Sequence, residues 1–334
     1  MFKTIQDGPL DAPDEGRRVT TAGRDPSLCP LVSVIVPSFN QGRFIRETIE
    51  SCLLQDHRPI EVLVLDGGSK DDTVSVLRSF DAPEVQWWSE PDRGVVDAVN
   101  KGLARARGTI ITIQSSDDVF LPGAVKSMVE ALQAAPTVGL AYGDVELIDA
   151  ESRLIGRDVQ GNFDFCDYLG RLQYIPQPGT CFTRAAYEAV GQWRDSVSYA
   201  ADADFWMRMS CRFGVVHVPR LVARYRYHDE QRDAQRDRIA RDWTAAVNDL
   251  LSNGTLTPRQ RRFARMGIEL ARYRYAPSEA WATRTRSLYA ALAANPTVVT
   301  DPRFPRRELL PGREPVWRRL SQIKRALGFK PRTC

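Results

Sequence analysis

Two adjacent carboxylates, Asp117 and Asp118, follow a short apolar segment and are well suited to hold a cation. The preceding residues, 109–113, are all β-branched and follow a glycine, which is typical of a strand buried on both faces of a parallel sheet. Neighbouring carboxylates repel each other, and a divalent cation offsets that repulsion. Alternatively, Asp118 caps a helix that begins at Pro122, and Asp117 lies in solvent. This pair alone leaves both interpretations open.

A second pair of carboxylates, Asp202 and Asp204, is followed by apolar residues at helical spacing, Phe205, Trp206 and Met209. The spacing predicts a buried helix with both carboxylates on its first turn, where the helix dipole stabilises negative charge. One of the two is expected to cap this helix. The role of the other stays open at this level.

Strands and helices alternate in front of the first carboxylate pair. Strands are predicted at residues 31–36, 60–65, 85–88 and 109–113, and segments with helical spacing of apolar residues join them. Short connections between alternating strands and helices favour an α/β fold with a doubly wound, parallel sheet. A further helix at 124–132 and a strand at 138–148 continue the pattern.

Three polar loops are expected at the carboxyl edge of this sheet, where open α/β sheets bind their ligands. They comprise residues 37–40, 66–69 and 115–118. Asp66 can accept a hydrogen bond from a base N–H or a ribose hydroxyl, and the two glycines after it allow a ligand to approach the backbone closely. This convergence favours the metal site over the helix cap and predicts a nucleotide across the same edge.

Composition and missing motifs exclude several classes of protein. A net charge of +4 over 334 residues is too small for a typical nucleic-acid-binding protein. The glycine-rich motifs of dinucleotide-dependent oxidoreductases and phosphate-loop ATPases are absent. The six cysteines include no Cys-x-x-Cys pair, which favours a reduced, cytoplasmic chain. No run approaches the roughly 18 consecutive apolar residues that a membrane-spanning helix needs.

Four motifs, in order and in register, resemble those of family 2 glycosyltransferases with the GT-A fold. They are residues 33–42 (SVIVPSFNQG), 66–71 (DGGSKD), 89–94 (SEPDRG) with the positions shortly after it, and 115–118 (SSDD). The resemblance covers residues 31–228. It implies an inverting transferase that uses a nucleoside-diphosphate sugar as donor and Mg2+ or Mn2+ as cofactor.

The resemblance also implies roles for individual residues. The cation is expected on Asp117, with Asp118 and His228 as further ligands. The segment around Asp202 resembles the motif that supplies the general base, and a positioned base contributes roughly 10²- to 10⁴-fold to such a step. Asp204 is expected to orient the helix or the acceptor. The residues expected to bind the nucleotide sugar are Pro37, Ser38, Asn40, Asp66, Gly68, Asp92, Arg93, Asp97, Asn100, Lys101, Ser115 and Ser116.

One position departs from the family pattern, because Ser115 stands where the motif has its first aspartate. Serine can still bond a ribose hydroxyl or a metal-bound water. With one carboxylate fewer, the cation is expected to depend mainly on Asp117 and the diphosphate oxygens. Arg224 and Arg226 are candidates for contacts with those oxygens.

The chain is expected to comprise a flexible lead-in (1–30), the GT-A domain (31–228) and a helical, basic C-terminal region (229–334). Residues 317–329 form an amphipathic pattern with Trp317 and Leu320 on one face and basic residues around them. Such a helix can lie on the inner face of an anionic membrane or pack as an ordinary terminal helix. The family's acceptors are saccharides or lipid-linked molecules, and the oligomeric state stays open.

Two other function classes stay open. A sugar-nucleotide-forming nucleotidyltransferase shares this type of sheet but requires a loop rich in glycine and arginine after the first strand, which residues 37–42 lack. A non-catalytic nucleotide-sugar-binding protein is favoured only by Ser115.

Overall fold

The computed structural model describes residues 29–228, 235–275 and 280–300. The strands there are β1 Val32–Ser38, β2 Ile60–Asp66, β3 Val85–Ser89, β4 Ile110–Ile113, β5 Val119–Phe120, β6 Val138–Ile148, β7 Leu154–Asp158, β8 Thr180–Thr183 and β9 Gly214–Arg226. The α-helices are α1 Ile45–Leu53, α2 Thr73–Arg78, α3 Val95–Arg105, α4 Ala124–Ala134, α5 Phe165–Gly170, α6 Arg184–Val190, α7 Ala201–Ser210, α8 Arg236–Ser252, α9 Pro258–Tyr275 and α10 Trp281–Ala294. A 3₁₀ helix, Asp195–Ala200, precedes α7, and another, Pro296–Thr300, follows α10.

The first half of the sheet is parallel, as the sequence predicts. Its order is β3-β2-β1-β4, and every pair in it is parallel. All residues of β1, β2 and β4 are buried, which explains their apolar, β-branched sequences. Ser38 pairs with Asp66 and Asp66 with Ser89, so the loops after these strands leave the sheet at one edge.

The second half of the sheet is mixed, so the parallel pairing predicted from the alternating strands and helices ends at β4. β8 is antiparallel to both β4 and β6, whereas β9 is parallel to β6 and antiparallel to β5. The sequence does not reveal β9 because it is half-exposed, and it contains Pro219 at a bulge where the register with β6 shifts. β9 brings the C-terminal part of the fold next to the residues that follow β4.

Each face of the sheet carries its own hydrophobic core. One core packs α1, α2 and α4 against the sheet, with Ile49, Leu77 and Met128 as central residues. The other packs α3, α5 and α7 against the opposite face and continues without a break into α8 and α9, for example at Trp243 and Ile268. The described part of the predicted C-terminal region therefore shares a core with the predicted GT-A domain.

Two predicted segments lie outside the described residues: the lead-in, apart from residues 29 and 30, and the amphipathic helix at 317–329. Among the residues that the structure describes, no helix has the length and apolar character needed to cross a membrane.

Helix α9 approaches α5 at Gly267, where a side chain would not fit. A Cβ atom there would lie 1.8 Å from the carbonyl oxygen of Leu169, which is backbone and cannot rotate away. A clash with backbone falls at the upper end of the roughly 1–3 kcal/mol that overpacking costs, and the better helix propensity of alanine offsets about 1 kcal/mol of it. We therefore expect Gly267→Ala to lower the free energy of unfolding by about 2 kcal/mol. Urea denaturation measures this, with Gly161→Ala as control, because a Cβ at Gly161 meets nothing within 4 Å. Equal unfolding midpoints for the two variants would show that α9 is not held at this contact.

Candidate active site

Asp66 organises the loop after β2 and is itself almost fully buried, with 2% of its surface exposed. Its Oδ2 accepts hydrogen bonds from the amides of Gly68 (3.2 Å) and Ser69 (3.0 Å) and from the Ser89 hydroxyl (2.6 Å), and its Oδ1 accepts from the Ser69 hydroxyl. Gly68 adopts a φ of 81°, which glycine tolerates without strain. Asp66 thus shapes the loop that a nucleotide would meet.

The loops after β1 and β2 are joined by hydrogen bonds around Asn40. The Asn40 amide donates to the Ser69 hydroxyl at 2.7 Å, and the Asn40 side-chain oxygen accepts from the Lys70 amide at 2.9 Å. The Gly42 amide also donates to Asp71 at 2.9 Å. The structure therefore brings Asn40 and Asp66 into one bonded cluster, as the sequence predicts for a common edge.

The end of β1 offers a polar atom and an aromatic surface to a ligand. Pro37 and Ser38 are buried, and the Ser38 hydroxyl has no hydrogen-bond partner among the described residues. Phe39, the next residue, is 57% exposed. Sequence reasoning missed Phe39, although an aromatic residue inside a polar loop is a usable signal of a stacking surface.

The loop after β3 lies against the loop after β2. The Asp92 carboxylate accepts from the Gly94 amide at 2.8 Å, and a Cβ atom built on Gly67 would lie only 2.7 Å from its Oδ2. Asp92 is therefore in contact with the predicted nucleotide edge. A side chain at position 67 would displace this carboxylate.

Arg93, Asp97 and Lys101 form an ion-pair cluster at the start of α3. Arg93 lies 3.0 Å from Asp97 and 3.7 Å from Asp195, and Lys101 lies 3.4 Å from Asp97 and 3.3 Å from Glu90. The hydrogen bond from Arg93 is the main cause that lowers the pKa of Asp97. The Arg93 side chain is 75% exposed, so it can move toward a ligand.

Asn100 tethers a distant loop. Its side-chain amide donates to the carbonyl of Trp193 at 2.9 Å and accepts from the amide of Trp193 at 3.0 Å. In this structure both polar atoms of the side chain are used in this way. The predicted contact between Asn100 and the donor stays a prediction.

The Ser115 hydroxyl is bonded to a residue that sequence reasoning did not single out. It donates to the side-chain oxygen of Gln177 at 2.8 Å, and the amide nitrogen of Gln177 donates to the Ile113 carbonyl. Ser116 is buried at 5% exposure. Gln177 lies in the turn-rich loop before β8, and only the antiparallel pairing of β8 with β4 places it here.

Asp117 and His228 meet at the edge next to β4. The Asp117 Oδ2 and the His228 Nε2 are 2.9 Å apart, and the side chains are 14% and 7% exposed. The His228 ring also packs against Phe44, with centroids 5.1 Å apart. The alternative that Asp117 lies in solvent is therefore wrong.

This pair fits a divalent cation that takes its remaining ligands from a substrate. Within the described ranges, no group of three or more His, Cys, Asp or Glu residues could hold a metal ion. One carboxylate oxygen and one imidazole nitrogen, however, are an acceptable partial set for Mn2+ or Mg2+, which commonly completes its coordination with phosphate oxygens and water.

Asp118 is fully buried and differs from Asp117 in its contacts. Its Oδ1 accepts from the Arg226 amide at 2.9 Å, and burial together with the charge of Asp117 raises its pKa well above the usual value. The alternative that Asp118 caps α4 is wrong, because Gly123 is the N-cap and no side chain caps this helix. With 0% exposure, its predicted role as a metal ligand gains no support from the structure.

The predicted catalytic helix is α7, and both carboxylates lie on its first turn. Asp202 is half-buried, close enough to Tyr168 for its charge to help raise the pKa of that hydroxyl, after burial as the largest cause. Asp204 is 1% exposed and forms ion pairs with Arg194 and, at 2.9 Å, with Arg208. The N-cap residue of this helix is Ala200, which has no side-chain capping bond, so neither Asp202 nor Asp204 occupies the predicted cap position.

Packing places α7 beside the strand that leads to Asp117. Phe182 on β8 contacts the rings of Phe205 and Trp206 on α7 at 5.3 and 5.8 Å between centroids. The same Phe182 pairs with Ile111 on β4. Helix α7 therefore packs on the face of the sheet at β8, the strand that pairs with β4, and shares a hydrophobic core with Ile111 of β4.

The two arginines that are candidates for phosphate contacts differ in their surroundings. Arg226 is 1% exposed and directs its guanidinium to protein groups, so that expectation is wrong. Arg224 pairs with Glu146 at 3.1 Å and is 39% exposed.

Comparisons with known proteins give consistent matches. The model of glycosyl transferase family 2 matches residues 33–194. An uncharacterized glycosyltransferase of Mycobacterium tuberculosis is 35% identical over 184 residues, 54% of this chain and 68% of that protein. The chondroitin synthase of Escherichia coli is 27% identical over 251 residues, 74% of this chain but only 34% of the synthase.

Two solved structures have a similar fold. S. aureus TarS 1–349 in complex with UDP-GlcNAc has a TM-score of 0.59 at 14% identity, covering 79% of this chain and 81% of that one. The mannosyltransferase PcManGT from Pyrobaculum calidifontis, in complex with GDP-Man and Mn2+, has a TM-score of 0.57 at 20% identity, covering 86% and 81%.

Proposed function

Because the chain belongs to glycosyltransferase family 2 and has the GT-A fold, we propose that it is an inverting, metal-assisted enzyme. It moves a sugar from a nucleoside-diphosphate donor to a hydroxyl group of a saccharide or lipid-linked acceptor. Family membership also decides against the nucleotidyltransferase alternative.

The observation that carries the proposal is the close pair formed by Asp117 and His228, 2.9 Å apart, with Asp117 just past β4, the strand that pairs with β1. A diphosphate bridging these elements would place its nucleoside over the β1 and β2 loops. There Phe39 offers a face for the base, and the buried Ser38 hydroxyl lacks a partner among the described residues. The flexible, exposed Arg93 can reach a phosphate from the side of α3.

Asp117 and His228 are the residues that would hold the cation, whereas the buried Asp118 accepts the Arg226 amide. A bound Mg2+ or Mn2+ supplies Lewis-acid stabilisation of the leaving diphosphate. The structure of PcManGT in complex with Mn2+ agrees with this choice of cation. The Ser115 hydroxyl already donates its hydrogen to Gln177, so it would contact the sugar donor as a hydrogen-bond acceptor.

Asp202 is proposed as the general base. Its carboxylate takes the proton from the acceptor hydroxyl while the new C–O bond forms and the bond from the anomeric carbon to the diphosphate breaks. Attack opposite the leaving group inverts the anomeric configuration. Arg194 and Arg208 fix Asp204 and thereby the turn that carries Asp202.

The acceptor is proposed from the relatives and the basic C-terminal sequence. The E. coli relative is named a chondroitin synthase, which favours a saccharide acceptor in polysaccharide or glycolipid synthesis. Peripheral membrane contact through residues 317–329 stays a prediction, because those residues are outside the described structure.

Thermal unfolding with a panel of nucleoside diphosphates, with and without Mn2+, tests the proposal. We expect at least one nucleotide to raise Tm more when Mn2+ is present than when it is absent. Tighter binding stabilises the folded state more, and a ligand at 100 times its Kd contributes about 2.7 kcal/mol. Sugar nucleotides that carry the same base are then tested as donors by measuring the release of the nucleoside diphosphate. If no nucleotide shows metal-dependent stabilisation, the metal-assisted transferase proposal fails.

A further inference from the structure

Arg226, the last residue of β9, is a buried arginine next to the proposed cation ligands. Its Nε donates to the carbonyl oxygen of Asp117 at 2.7 Å, and its backbone amide donates to the carboxylate of Asp118 at 2.9 Å. His228 follows two positions later in the chain. Arg226 therefore joins the segment that carries Asp117 to the segment that carries His228.

The outer nitrogens of the guanidinium extend this connection to two other elements. Nη2 donates to Glu47 of α1 at 2.7 Å, and Nη1 donates to the Asp149 carbonyl (3.2 Å) and the Ser152 hydroxyl (2.8 Å) in the turn between β6 and β7. Its carbon Cζ also lies 4.8 Å from the ring centroid of Phe44, the residue that packs against His228. Four segments of the chain thus meet at one side chain.

The burial of this charge requires a reason. Arg226 is 1% exposed, whereas the side chain of its acidic partner Glu47 is 41% exposed and partly hydrated. Removing a guanidinium from water is costly unless it is paired and fully hydrogen-bonded. Lysine could not replace it, because only the planar guanidinium presents donors in several fixed directions at once.

We propose that Arg226 is a positioning residue that sets the separation of the Asp117 carboxylate and the His228 imidazole, and through it the affinity for the divalent cation. This inference rests on the proposed function. Arg226 touches neither donor nor acceptor. It acts by fixing the backbone at Asp117 and by supporting, through Phe44, the ring of His228.

Arg226→Lys tests the role. Arg220→Lys is the matched control on the same strand, because Arg220 is exposed and donates to the carbonyl of Pro122. Calorimetric titration of Mn2+ in the presence of the nucleoside diphosphate chosen by thermal unfolding gives the metal affinity. Titration of the nucleotide without metal gives the metal-free affinity. We expect Arg226→Lys to weaken Mn2+ binding about 10- to 100-fold. Its affinity for the nucleotide without metal should stay within about twofold of wild type, and so should both affinities of the control variant.

The outcomes separate a positioning role from a merely structural one. The inference is overturned if the Arg226→Lys protein folds and keeps the wild-type affinity for Mn2+. It is also overturned if the variant loses Mn2+ affinity and metal-free nucleotide affinity by the same factor. If this variant does not fold, Glu47→Gln replaces it. That substitution alters the outer bonds of Glu47 with Arg226 and Ser152 and leaves the bond from Arg226 to Asp117 in place. A loss of about 2- to 30-fold in Mn2+ affinity is then expected, and no loss overturns the inference. A wild-type protein without metal-dependent nucleotide binding instead overturns the proposed function itself.

Discussion

Asp202→Asn is expected to reduce sugar transfer by roughly 10²- to 10⁴-fold while leaving donor binding intact. The asparagine keeps the shape of the side chain on the first turn of α7 but cannot accept the proton of the acceptor hydroxyl. Since Asp204 and its arginine partners hold the helix, the substitution should leave the fold unchanged. The loss should therefore appear in kcat, with little change in the KM for the donor.

Transfer is measured as nucleoside-diphosphate release with the donor found in the product-release panel. Asp237→Asn is the matched control, because Asp237 also lies on the first turn of a helix, α8, but is exposed. It should retain wild-type turnover. Activity of Asp202→Asn within about tenfold of wild type would place the base elsewhere.

The sequence predicts the first half of the fold well because its signals there are local. The strands at β1, β2 and β4 are continuous apolar runs, and each ends at a polar loop that can be recognised without the partner strands. Parallel pairing then brings Ser38 and Asp66 to one edge. The family resemblance, now shown by the comparisons, depends on these same loops.

The second half could not be predicted in the same way because its contacts join distant parts of the chain. Gln177 meets Ser115 across 62 residues, and Arg226 meets Asp117 across 109. Both depend on strands, β8 and β9, that are short or half-exposed and carry no clear alternation. A sequence pattern reports the period of one element but not the register between two.

Burial separates residues that the sequence could not rank. Asp117 and Asp118 are adjacent and identical in type, yet one faces His228 at the edge of the sheet and the other accepts a backbone amide inside it. Arg224 and Arg226 also differ in burial, because one pairs with Glu146 near the surface and the other is enclosed by protein groups. In each pair the sequence identifies the chemistry, and the tertiary packing decides which member is enclosed by protein groups.

Asp117→Asn is expected to abolish metal-dependent nucleotide binding, with Mn2+ affinity reduced by about 100-fold or more, since even residues that only support a ligand are worth 10- to 100-fold. An amide oxygen binds a divalent cation far more weakly than a carboxylate, and His228 would remain as the one protein ligand of the proposed pair. The additional increase in Tm that Mn2+ causes in the presence of the nucleotide should therefore disappear. A 100-fold loss of affinity corresponds to a loss of about 2.7 kcal/mol in the stabilisation by the ligand.

Asp118→Asn is the decisive control because it makes the same chemical change one residue away. The asparagine oxygen can still accept the Arg226 amide, and the site is fully buried, so nucleotide binding should keep its Mn2+ dependence. Calorimetric titration of Mn2+ into each variant with saturating nucleotide compares the two directly. If Asp118→Asn loses the metal and Asp117→Asn keeps it, the cation lies on the inner carboxylate, and the edge formed by Asp117 and His228 is not the metal site.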